Sequence, residues 1–122
     1  MVEEVLRFES PNQLGNRTVT QNTRLHGLDL PERAILTLCI GAANRDPDVF
    51  PSANDFDIRR TPNPHLAFGA GIHTCAGLSL ARLEGEIAIT RFFERFPDAT
   101  LSSARRAPRA RFRGFEELCV QL

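Results

Sequence analysis

HLAFGAGIHTCAGLSLAR, residues 65–82, sets one cysteine among three glycines and then runs into a helical pattern. Gly69, Gly71 and Gly77 remove side chains on both sides of Cys75, which permits positive φ and lets a large flat partner approach the backbone. Residues 76–96 predict the longest helix of the chain. Leu80, Leu83 and Ile87 form one apolar stripe, Ile89, Phe92, Phe93 and Phe96 widen it, and Pro97 ends it. Cys75 therefore falls at a helix start, whose unpaired amides and positive dipole end favour the thiolate that a metal requires. No second cysteine or histidine stands at CxxC, CxxH or HxxxH spacing, and His73 is too near to share one zinc ion with Cys75. One thiolate in a glycine-lined loop suits a metal whose other ligands come from a cofactor, as in haem.

Composition narrows the class. The 122 residues are 42% hydrophobic and 25% charged, which fits one soluble globular unit spanning 1–122. Fifteen basic residues, all arginine, balance fifteen acidic ones, so no global field points to nucleic acid or an anionic membrane. Five arginines between Arg105 and Arg113 read as a solvated strand face, because no aromatic interleaving of the single-strand-binding kind accompanies them. No apolar run approaches the ~18–20 residues of a membrane span, and the acidic start MVEEVLR does not read as a signal peptide. Cys39, Cys75 and Cys119 lack disulfide-scaffold spacing, which points to a reducing, cytoplasmic compartment. Cys39 and Cys119 read as small apolar residues of buried strands.

Along the chain, VEEVLRF (2–8) is amphipathic and helical, and SPNQLGN (10–16) is a breaker loop. RTVTQNTRLHG (17–27) alternates about QNT and predicts a β-hairpin, and AILTLCI (34–40) predicts a buried strand. GAANRDP (41–47) makes one helical turn before a long proline-rich irregular segment that runs to Pro64. RARFR (109–113) and the closing ELCVQL predict two further strands.

FGAGIHTCAG (68–77) resembles the cysteine-loop signature of the cytochrome P-450 family, the haem-thiolate monooxygenases. Glu4 and Arg7 match the E-x-x-R pair on that family's K helix, GAANRDPDVF resembles the segment leading into its meander, and PHLAFG and LSLARLE match bacterial members. The resemblance covers essentially the whole chain, in order. It implies an α+β region within a mainly-α family: the C-terminal part of the P-450 fold, with K helix, β-hairpins, meander, cysteine loop, long L helix and C-terminal strands. It implies haem b, iron protoporphyrin IX, with Cys75 as metal ligand and catalytic proximal thiolate. Arg17 and His73 would hold the propionates, Phe68 would pack on the proximal face of the porphyrin, and Gly69, Ala76 and Gly77 would complete the cofactor-binding loop. Glu4 and Arg7 would form a structural ion pair. Gln13 and Leu14 are candidate contacts for a small organic substrate, and Arg82 for docking a ferredoxin-type electron donor.

Two departures qualify the match. The meander's usual proline and arginine are Ala53 and Asp55 in FPSANDF, which leaves Arg59 or Arg60 as third member of the Glu–Arg–Arg network. Arg33 in LPERAIL stands where a glycine is common. A full family member is also much longer, so the expectation is a C-terminal fragment without the helix that crosses the distal haem face. Such a fragment is a monooxygenase part inactive alone, with the N-terminal portion supplied as a separate chain. The alternatives are a non-catalytic haem-binding or interaction module and a degenerate remnant.

Overall fold

A computed structural model describes residues 1–122. Helix α1 (Val2–Phe8) carries Glu3 and Glu4 in its first turn and Arg7 in its last, each favoured there by the helix dipole. Strand β1 (Leu14–Thr18) pairs antiparallel with β4 (Ile35–Cys39), placing Arg17 opposite Leu36. Between them β2 (Thr23–Leu25) and β3 (Leu28–Leu30) form a separate short hairpin. A single hairpin across 17–27, turning at QNT, is therefore not what forms. The turn lies at His26 and Gly27, with φ of 47° and 83°. Two successive positive φ angles match the twist of a tight hairpin, and glycine accepts one of them without strain.

Helix α2 (Ile40–Ala43) follows β4 directly, and α3 (Leu78–Arg95) is the long helix, two residues shorter at its start than the sequence pattern. Strands β5 (Thr100–Arg106) and β6 (Phe115–Gln121) close the chain as a two-stranded ribbon. RARFR is not a strand; only Phe112 makes an isolated bridge, to Asn12. The strand it was expected to supply lies before Pro108 in TLSSARR, whose small polar residues carry no apolar alternation. The arginines nearby do form a solvated face, with Arg105 on Glu116 and both Arg106 and Arg113 on Glu9.

The buried centre is polar. Arg7 and Glu4 are 0% and 1% exposed, with Ser10, Asn44, Phe50, Ala53 and Val19 also buried. Arg7 donates twice to Glu4, at 2.8 and 2.7 Å, and its remaining donors reach the carbonyls of Asn44, Ala53 and Asp55. Glu4 also accepts from the Asp57 amide, Asn63 and Arg60. Arg60, which further donates to the carbonyls of Pro51, Ser52 and Asp55, is thus the third member of the network; Arg59 is not. Burial pushes the Glu4 carboxyl up, but the hydrogen bonds from Arg7, the Asp57 amide and Arg60 outweigh it and hold the pKa at about 2.

Apolar side chains, by contrast, lie largely outside. Val2 of α1 packs on α3 where Gly85 leaves room: a Cβ there would stand 3.2 Å from Val2 Cγ1. Leu80, Leu83, Ile87 and Phe93 on α3 remain more than half exposed. Cys39 and Cys119 are exposed rather than buried, because β4 and β6 have one neighbour strand each and no covering layer. The accessible surface is 9206 Å², whereas a folded 13.6 kDa chain ordinarily exposes about 6,600 Å². No helix is long and apolar enough to cross a membrane.

The Glu4 pKa fixes a pH dependence. A carboxylate held below its unfolded value of about 4.5 stabilises the fold fully above that pH and progressively loses the effect as pH falls toward 2. In denaturant titrations, Glu4→Gln should lower stability at neutral pH by on the order of 3 kcal/mol. The variant should also show a shallower acid-side decline than the wild type below about pH 4.5, because only the Glu4 contribution is removed. Parallel declines in both proteins would contradict this.

Candidate functional site

The loop before α3 is built by backbone geometry. The Cys75 amide donates to the Phe68 carbonyl at 2.8 Å, and the Gly69 amide to the Leu66 carbonyl at 2.9 Å. A 3₁₀ turn, Gly71–His73, lies inside this loop, and Thr74 closes it on the Gly71 carbonyl through both amide and hydroxyl. Gly69 and Gly71 have φ of 72° and 63°. At Gly69 a Cβ would also stand 3.0 Å from the His73 carbonyl oxygen, so a side chain there is strained both by its backbone angle and by that contact. Asn44 joins this loop to the buried centre: its Nδ2 donates to Ser10 Oγ, and its Oδ1 accepts the Leu66 amide at 2.7 Å.

A cavity of about 640 Å³ opens against this loop, and nine of its 14 lining residues are hydrophobic. Phe68, Gly69, His73 and Cys75 line it from the loop, Arg17 from β1, and Leu38 and Cys39 from β4. The structure therefore brings together the thiol, the two bases, the aromatic and one glycine singled out in the sequence. Arg17 and His73 pair with no carboxylate; the Arg17 guanidinium donates only to the adjacent Asn16 carbonyl, at 2.9 Å. No cluster of three metal-ligating side chains occurs anywhere in the chain.

Other expected residues fall elsewhere. Ala76 and Gly77 are exposed and outside the lining, although a Cβ on Gly77 would come within 3.9 Å of Cys75 Sγ. Gln13 and Leu14 do not line the cavity; the Gln13 amide donates to the Ser10 carbonyl and packs over Gly41, where a side chain would collide with it. Cys39 and Leu38 take their place, a position unreadable from an apolar run whose facing strand is not specified. Arg82 is not a free cation, because its Nε and Nη2 both donate to Glu3 at 2.8 Å.

The family model for cytochrome P450 matches residues 1–109. The chain belongs to the cytochrome P450 family. It is 46% identical over 121 residues to a biotin biosynthesis cytochrome P450 of Bacillus subtilis, covering 98% of this chain and 31% of that protein. It is 42% identical over 100 residues to the 6-deoxyerythronolide B hydroxylase of Saccharopolyspora erythraea, covering 82% of this chain and 25% of that protein. The crystal structure of P450BioI in complex with an acyl carrier protein superimposes with a TM-score of 0.95 at 45% identity, over 99% of this chain and 32% of that one. The chain thus spans about a third of the length of these P450 relatives and corresponds to their C-terminal part. P450 proteins bind haem b. The residues here fit that group: the glycine-lined loop offers the Cys75 thiol, Cys39 of β4 offers a second, and two bases without carboxylate partners stand beside a mainly apolar cavity.

The Gly69 contact gives a direct test of the loop. Gly69→Ala should cost about 2 kcal/mol, from positive φ plus a backbone clash, against about 1 for Gly71→Ala, where no atom lies in the way. Urea midpoints of the two variants measure the difference; equal shifts would show that the His73 carbonyl yields.

Proposed function

We propose that these residues form the proximal half of a haem-thiolate monooxygenase, in which Cys75 Sγ would hold the haem iron. The observation that carries this is the Cys75 thiol, held in the glycine-lined loop, sharing a largely apolar cavity with two bases that have no carboxylate partner. Arg17 and His73 bind the two propionate carboxylates and so set the cofactor's orientation. Phe68 covers the thiolate side and excludes water. The amides of Ala76 and Gly77 have no backbone acceptor and would be free to donate to the sulfur and tune its basicity once it holds iron. When bound, the cofactor supplies the redox iron for inserting one oxygen atom of O₂ into a small organic substrate, two electrons and two protons carrying the other to water. The electrons come from a ferredoxin-type donor, and the setting is the cytoplasm.

The lining contains no carboxylate, so the wall that delivers protons to dioxygen is not among these side chains. On this reading the 122-residue chain alone, given redox partners, consumes no NADPH in a substrate-dependent way. Sustained coupled turnover would refute the division of labour.

The cofactor assignment is tested by adding haemin to the purified chain, reducing it and exposing it to carbon monoxide. The expected product has the strongly red-shifted Soret band of thiolate ligation, lost in Cys75→Ser. Because Cys39 lines the same cavity, Cys39→Ser identifies the sulfur: it should keep the band. A band that survives Cys75→Ser, or vanishes in Cys39→Ser alone, would reassign the ligand.

A further inference from the structure

Two side chains lie against the Phe68 ring, one from helix α3 and one from the loop itself, and both are anchored on helix α1. Arg82 of α3 stands with Cζ 5.2 Å from the Phe68 ring centroid. The His65 ring lies 6.0 Å from the same ring, tilted by 47°. Both are tied to one carboxylate. Arg82 grips Glu3 of α1 with a two-pronged fork, and His65 Nε2 lies 3.1 Å from Glu3 Oε2. The Ala67 amide donates to His65 Nδ1 at 3.2 Å, so the proton offered to Glu3 sits on Nε2. The hydrogen bond from Arg82, against a smaller opposing effect of burial, holds the Glu3 carboxyl below its usual range, so both acceptor oxygens stay charged.

We propose that Glu3, His65 and Arg82 are positioning residues that fix Phe68, and through its carbonyl Cys75, in the proximal loop. The inference deepens the haem-thiolate reading of this loop and rests on it. A surface ion pair by itself is worth little, and Glu3 and Arg82 are 40% and 44% exposed. Three features set this one apart. The guanidinium fork fixes the plane of Arg82, which a lysine cannot do. The His65 side chain is 2% exposed, and its other nitrogen is already committed to the loop backbone. Finally, both groups bonded to the carboxylate lie against the one ring whose own carbonyl holds the Cys75 amide. A guanidinium and an imidazole against one aromatic ring, anchored to a common anion, leave that ring few orientations.

The test is amide hydrogen exchange of the chain without haem, read at Cys75 and, as an internal reference, across the β1–β4 ladder. Arg82→Ala and Phe68→Ala should each speed exchange at Cys75 by about tenfold or more while the ladder is unchanged. The double variant should exchange no faster than Phe68→Ala alone, because Arg82 acts through the ring. His65→Gln, whose amide can still donate to Glu3, should stay nearer the wild type than His65→Ala. With haemin bound, the iron reduction potential should shift in one direction in Arg82→Ala and Phe68→Ala, and no further in the double variant. Multiplying effects in the double variant, an unaltered Cys75 rate in Arg82→Ala, or a wild-type Cys75 amide exchanging like an unstructured one would overturn the proposal. A changed exchange rate with an unchanged potential would reduce the trio to a structural brace and overturn it equally. Exchange is read without haem, so failure of Cys75 as an iron ligand shows separately, as a missing thiolate band.

Discussion

The fold hangs on a buried ion pair. Placing Glu4 and Arg7 out of water is expensive, and their mutual attraction alone would at best balance that loss. What makes the arrangement stable is completeness: every donor of the Arg7 fork finds an acceptor, and Glu4 collects donors from Asp57, Arg60 and Asn63 besides. Those partners are mostly backbone groups of residues 44–57, a segment without regular structure of its own. The pair therefore does the work that a ladder of strand hydrogen bonds does elsewhere. It satisfies the polar groups of an irregular chain and fixes its path. Only a planar fork with fixed donor directions can reach Glu4 and three separate carbonyls together, so lysine is no substitute for Arg7.

From that centre the constraint reaches the cysteine through Asn44. Its carbonyl accepts from Arg7 at 2.8 Å and its side chain holds the Leu66 amide, which places the start of the loop. The loop then carries its own order forward, Gly69 onto Leu66 and Cys75 onto Phe68. The thiol is thus positioned by hydrogen bonds from one end and by helix α3 from the other, with no apolar packing of its own required. A site that must present a sulfur to a cofactor gains from this, because the face that meets the cofactor stays clear of supporting side chains.

Short-range information was legible in the sequence, and long-range pairing was not. Glu4 and Arg7 at i, i+3, the long helix through Leu80, Leu83 and Ile87, and the glycine-lined cysteine all declare themselves within a few residues. Strand partners do not: β1 pairs with β4 across sixteen intervening residues, and nothing local distinguishes that from a hairpin at QNT. Arg60 was one of two candidates because only the path of the loop decides which arginine faces Glu4. Asn44 and His65 escaped notice for a related reason. Each lies within a matching stretch, GAANRDPDVF or PHLAFG, but its role appears only where segments far apart in sequence meet.

The same contrast explains the burial of Cys39 that did not materialise. An apolar run such as AILTLC is a promise that something will cover it, and the promise need not be kept within the same 122 residues. The buried side chains here are mainly polar, while Ile35, Leu38, Leu80, Leu83 and Ile87 stay open to solvent. The surplus of surface is about 2,600 Å² over that of an ordinary folded chain of this mass, the size of a large interface rather than of scattered exposed residues. Relatives of three times the length have the material to cover such a surface. The polar network accordingly has a specific place in the design. It lets the cysteine loop take its shape from contacts inside this segment, while the apolar faces remain available for the rest of a P450 fold to close over them.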